Sequence, residues 1–165
     1  MSYLAKAREL EPSNVWAHYY FGLCAYRLKS YEDAALAFSV CVGAAPELAG
    51  GYYSRGLALT ALGRVEQAVK DYDRAIALDP SLTAAYLNRG MLYYRQKRLE
   101  QATADLNEAL SRGIDPSLAY YDLALVYLAK QDPTAALLYV RRALECDPKR
   151  KEAGQLKDQL SRGPH

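Results

Sequence analysis

The chain has 165 residues, enough for one domain, and 51% of them are apolar, which excludes general disorder. Its formal net charge of +2 comes from interspersed Lys, Arg, Asp and Glu, with no stripe of one sign to suggest nucleic-acid binding. The apolar runs are too short to span a bilayer, and three scattered cysteines without a C-x-x-C pair (Cys24, Cys41, Cys146) make neither a disulfide framework nor a zinc site.

Three ladders of small residues recur every 34 residues: Gly22, Gly56, Gly90 and Ala124; Ala34, Ala68, Ala102 and Ala136; Cys41, Ala75, Ala109 and Ala143. Numbering each repeat from 1 to 34 puts them at positions 8, 20 and 27. Mostly larger residues occupy position 4 (His18, Tyr52, Tyr86, Tyr120), position 11 (Ala25, Leu59, Tyr93, Tyr127) and position 24 (Phe38, Tyr72, Leu106, Val140). Offsets alternating by three and four are helical. The period therefore predicts two antiparallel helices per repeat, with small residues where backbones approach and bulky ones around them.

In chain order, residues 1–14 carry Leu4 and Ala7 at positions 24 and 27 of a preceding repeat. They are expected to form its second helix, so the chain reads as a piece of a longer protein. Repeat 1 spans 15–48, with helices near 15–28 and 31–44. Repeat 2 spans 49–82, with helices near 49–62 and 65–78. Its opening Gly50-Gly51, with Gly43 nearby, reads as a loose junction, because the rest of any phosphate-binding motif is missing. Repeat 3 spans 83–116, with helices near 83–96 and 99–112; Gly113 suits a helix end and Asp115-Pro116 a new start. Repeat 4 spans 117–150, with helices near 117–130 and 133–146, the second opened by Asp132 as N-cap and Pro133 at the first helical position. Residues 151–165 are a capping helix and tail, with Ala153, Leu156 and Leu160 as the apolar side.

Catalytic chemistry finds little support. His18 takes the large slot at position 4, where packing explains it, and His165 lies in the tail. Cys24 is six residues from His18 and points elsewhere on a straight helix, so the two do not make a nucleophile pair. No Ser–His–Asp set, paired carboxylates or Gly-rich phosphate loop is present. Arg55 and Arg89 stand at position 7 where position 23 is Asp71 and Asp105, while Phe21 and Leu123 stand opposite Ala37 and Tyr139. Charge is present at both sites or at neither. An ion pair joining the two helices accounts for this, since one stranded charge would be costly.

The pattern resembles the tetratricopeptide repeat family, in which a large residue, Leu-Gly, Tyr, Ala, Phe, Ala and Pro recur at these offsets. The resemblance covers residues 15–150. The departures are Ile114 for Pro, Ala124 for Gly, and Arg55 and Arg89 for the usual Leu. It implies an all-α, right-handed solenoid of antiparallel helix pairs, with four full repeats, an N-terminal half repeat and a C-terminal capping helix. It also implies that positions 2, 5, 9 and 12 of each first helix line a concave groove, with position 6 at the edge. The expected groove residues are Trp16, Tyr19, Leu23, Tyr26, Tyr53, Leu57, Asn88, Met91, Tyr94, Arg95, Tyr121, Asp122 and Leu125. Members of the family that clamp acidic C-termini use Lys and Asn at these positions. Tyr19, Leu23, Ser54 and Ala84 stand there instead, and only Asn88 has the needed chemistry.

The expected function is a protein–protein interaction scaffold, not an enzyme, holding an apolar or aromatic-rich peptide or protein segment in the groove. No cofactor, metal, nucleic acid or membrane is expected, and the location is expected to be cytoplasmic. The alternatives are a self-assembly module, associating through the truncated N-terminal helix, and a regulatory appendage of an enzyme such as a bacterial signalling kinase.

Overall fold

The computed structural model describes residues 14–162. Among these residues are nine α-helices and no strand, as the periodicity predicts. The helix expected within residues 1–14, the self-association assigned to it and the tail beyond 162 lie outside the described residues.

The chain forms two compact units, Met1–Ala85 and Tyr86–His165. The first contains α1 (Val15–Arg27), α2 (Tyr31–Ala44), α3 (Ala49–Ala61) and α4 (Val65–Leu78). The division falls inside α5 (Thr83–Arg95). The second unit continues with α6 (Leu99–Ser111), α7 (Pro116–Ala129), α8 (Pro133–Cys146) and α9 (Lys151–Arg162).

All twelve ladder residues are buried, and the four residues at position 24 are fully so. Glycine at position 8 is a steric requirement in the first two repeats. A Cβ at Gly22 would lie 2.7 Å from the Phe38 ring, and one at Gly56 2.7 Å from the Tyr72 ring. Where position 24 shrinks to Val140, position 8 carries Ala124. Small and large residues thus trade volume across each helix pair.

Four of the turns share one geometry. Lys29, Gly63, Lys97 and Gln131 all stand at position 15 and all have φ between 59° and 73°. The residue after each returns its N–H to a carbonyl five residues back: Ser30 to Ala25 and Arg64 to Leu59 at 2.9 Å, Arg98 to Tyr93 at 2.9 Å, Asp132 to Tyr127 at 3.0 Å. This left-handed cap ends one helix and reverses the chain within three residues. At the next helix start, Asp132 caps α8 by accepting from the Ala135 N–H at 2.9 Å. Asp115 caps α7 by accepting from the Ser117 N–H at 3.0 Å, so α7 begins at Pro116, one residue before the expected start.

Gly50 and Gly51 are not a loose junction. Both lie inside α3, and Gly51 is buried, with its missing Cβ only 3.1 Å from Val42. The glycine lets α3 close on α2, so packing recovers what helix propensity loses.

The expected ion pairs form with two parallel hydrogen bonds each. Arg55 Nε and Nη2 reach the Asp71 carboxylate at 2.7 Å, linking α3 to α4. Arg89 reaches Asp105 at the same distances, linking α5 to α6. In the fourth repeat, where neither charge is present, Tyr139 stacks on Tyr127 with ring centroids 5.0 Å apart. Cys41 is buried as expected; its thiol donates to the Val15 carbonyl at 3.3 Å, and burial pushes it up to about 11. It is held as an unreactive thiol.

Candidate functional site

Ten of the thirteen sequence-predicted groove residues are half-buried, two are exposed (Trp16, Arg95) and one, Asp122, is buried. The two units contribute separate sets. In the first unit α1 supplies Trp16, Tyr19, Leu23 and Tyr26, and α3 supplies Tyr53 and Leu57. Spacing of three and four places each set on one helix face.

The α1 end of this surface is aromatic. Trp16 is 55% exposed and Tyr20 52% exposed, both large rings facing solvent. The Tyr19 ring meets Trp16 edge-on at 5.9 Å and Tyr20 at 5.8 Å. Its hydroxyl accepts from Ser54 Oγ at 3.5 Å. A Cβ on residue 50 would stand 3.5 Å from that hydroxyl, in ordinary contact. Behind this layer Tyr53 packs 6.0 Å from the ring of Tyr72. Thr60 gives its proton to the Gly56 carbonyl at 2.8 Å, so the Tyr72 hydroxyl donates to Thr60 Oγ1 at 3.2 Å. Burial raises the Tyr72 phenol well above its ordinary range, which keeps it a neutral donor.

In the second unit α5 supplies Asn88, Met91, Tyr94 and Arg95, and α7 supplies Tyr121, Asp122 and Leu125. Tyr121 and Leu125 also pack against the core formed by Ala124, Val140, Ala143, Ala153 and Leu156. The capping helix α9 provides the last two of these, so it covers the end of the repeat array as expected. The Tyr121 phenol is raised first by burial and then by Asp122, Glu152 and Tyr94, with Arg150 opposing. Those five residues therefore share one neighbourhood. Burial pushes the Asp122 carboxyl up to about 6, against the pull of Arg150.

Sequence reasoning missed how this corner is built. Arg150 donates from Nε to Ser117 Oγ at 2.7 Å and from Nη2 to Asp115 at 3.3 Å. Ser117 in turn donates to the Ala143 carbonyl at 2.9 Å. The 34-residue register aligns Asp122 with Tyr20, Ser54 and Asn88 at the groove edge, and nothing in that pattern signals burial. Also missed was the second-helix side, where a cleft of about 550 Å³ in the first unit runs past Leu36, Leu59, Arg64 and Lys70. Leu36, 64% exposed, had no role in the period and gave no signal. Among the described residues no three His, Cys, Asp or Glu side chains gather as a metal site, and no helix is long and apolar enough to cross a membrane.

Several solved structures share this fold. YrrB, described as a TPR protein with an unusual peptide-binding site, superposes with a TM-score of 0.85 at 24% identity, over 95% of this chain and 81% of that one. TTC0263 from Thermus thermophilus, a thermophilic TPR protein, gives 0.77 at 24% identity over 97% and 88%. The first TPR of Spaghetti (RPAP3), bound to the HSP90 peptide SRMEEVD, gives 0.65 at 24% over 69% and 90%. No curated protein matches the sequence. Family models described as tetratricopeptide repeat match residues 2–49 and 101–151, and also 83–112; one described as TPR repeat matches 56–97. With repeat models matching more than half the sequence and the all-α helical-repeat fold in place, the chain belongs to the tetratricopeptide repeat family.

Proposed function

We propose that this chain is a protein–protein interaction scaffold that holds an extended segment, rich in apolar and aromatic residues, against the faces of its first helices. The observation that carries this reading is the aromatic surface of α1, where Trp16 and Tyr20 stand more than half exposed beside Tyr19. Large exposed aromatics grouped together mark interaction sites, and Trp and Tyr dominate binding hot spots. YrrB and the RPAP3 repeat, whose descriptions name a peptide site and a bound peptide, support the same use of the fold.

The peptide on RPAP3 carries acidic residues toward its C-terminal end. This chain has Tyr19, Leu23, Ser54 and Ala84 where an acid-binding member would present cations or amides, so its partner differs in chemistry. Asn88, half-buried on α5, is suited to hold a peptide backbone, since its amide both donates and accepts. Selection from a random peptide library tests this. Enrichment of apolar and aromatic residues is expected; enrichment of acidic C-termini would overturn it.

A further inference from the structure

We propose that the cleft on the second-helix side of the first unit is a separate binding site, which takes an apolar side chain flanked by carboxylates from a segment of a partner protein. This site does not depend on the first-helix faces being a binding surface.

The cleft holds about 550 Å³, a volume typical of ligand sites. Ala35 and Leu36 of α2, Leu59 of α3, and Arg64 and Lys70 at the start of α4 line it. No groove residue does. Arg55 and Leu59 each stand two residues beyond Tyr53 and Leu57, about 200° round α3, so the cleft uses the other face of that helix.

Its walls are fixed in advance. Arg55 gives two hydrogen bonds to Asp71 at 2.7 Å and a third, from Nη1, to Ser39 Oγ at 3.4 Å. Ser39 donates its own proton to the Ala35 carbonyl at 2.8 Å. The three helices are tied together around the cleft, so a ligand meets a preformed surface.

The lining is apolar on one wall and cationic on the other. Leu36 is 64% exposed, more than any other large apolar side chain among the described residues. Position 22 of the repeat is Leu36 in α2 and Lys70 in α4. The Asp71 carboxylate is taken up by Arg55. The other charged residues that line the cleft are Arg64, Lys70 and Glu32. All three are exposed, and none forms an ion pair among the described residues. The Arg64 side chain does not cap α4 either. Two unpaired cations against one carboxylate, beside an exposed leucine, select an apolar group with acids next to it. A wholly apolar segment leaves both cations unmatched, and a basic one is repelled.

The test titrates the whole isotope-labelled chain with the capped pentapeptide acetyl-Glu-Gly-Leu-Gly-Glu-amide. Its three side chains share one face when it is extended, and it has no terminal carboxylate. It should shift the backbone signals of Leu36, Leu59 and Lys70 and leave those of Tyr19 and Tyr53 unmoved. Peptides with Gln or Lys for Glu, or Ala for Leu, should bind more weakly. Replacing both cations, Arg64→Gln with Lys70→Gln, should weaken the acidic peptide by about tenfold, the scale of two exposed charge pairs, and remove its salt dependence. Leu36→Gln should weaken it too. All three positions are exposed, and an unchanged helical spectrum confirms that the variants fold. Equal binding of the Glu, Gln and Lys peptides, or undiminished binding to the doubly substituted chain, would overturn the site. Shifts confined to Tyr53 and Tyr94 would also overturn it while leaving the groove in place. Sedimentation covers the remaining occupant: a parent dimer that Leu36→Gln dissociates would give the cleft to a second copy of the chain and overturn the proposal.

Discussion

A guanidinium fixed by two 2.7 Å hydrogen bonds to one carboxylate has little left for a ligand, and Arg55 and Arg89 are both in that state. Their role is to tie paired helices together. Arg89 and Asp105 are mostly buried, so removing one partner strands the other. Arg89→Ala should destabilise the fold by about 1–3 kcal/mol, the cost of an unsatisfied buried polar group. A double-mutant cycle with Asp105→Ala by urea unfolding checks this, with the double variant recovering part of the loss. Asp122 behaves in the opposite way. Its folded-state carboxyl, at about 6, lies above the ordinary 3.8, so the native state holds the proton more tightly than the unfolded chain. Stability from this residue therefore falls as pH rises between about 4 and 6, and the full penalty, about 2–3 kcal/mol, is present above that window. Asp122→Asn should unfold at higher urea than the parent at neutral pH, and that advantage should fade by about pH 4. An advantage that persisted at the acid end would show that burial of the charge is not its cause.

At the scale of elements, the four caps at position 15 are the most regular feature, and only one of them uses glycine. Lys29, Lys97 and Gln131 take the left-handed conformation that Gly63 adopts without strain. Lys97→Gly should stabilise the fold by about 1 kcal/mol, the usual penalty for a Cβ in this region, measured as a rise in the urea midpoint with an unchanged slope. The helices themselves are legible because the 34-residue ladders fix them at positions 8, 20 and 27 independently of propensity. Observed and expected bounds differ by one residue at most. The ion pairs are legible because charge occurs at positions 7 and 23 together. Gly50-Gly51 misleads for a physical reason. Two glycines signal looseness in a sequence, but the close approach of Val42 to Gly51 is across helices and leaves no local mark. The burial of Asp122 leaves no mark in the period either, because Tyr20, Ser54 and Asn88 at the same position are exposed, buried and half-buried in turn.

At the scale of the whole molecule, each unit presents its own first-helix faces, and the central claim is that these faces hold a peptide segment. The identity of the groove residues comes from the family resemblance; their half-exposed state is a finding of the structure. The many tyrosines divide between two uses. Some fill positions 4, 11 and 24, as Tyr72 and Tyr86 do, while others, such as Tyr19, Tyr20 and Tyr121, remain at the surface. Composition alone cannot divide them. The most direct measurement is the affinity of a library-selected peptide for the parent chain and for Tyr53→Ala, Tyr94→Ala and the double variant, each checked for an unchanged helical spectrum. Both residues are half-buried on first helices, one in each unit. The account predicts that each single truncation weakens binding at least about tenfold, the range of a hot-spot aromatic, and that the double variant loses more than either. Unchanged affinity in the double variant would contradict it.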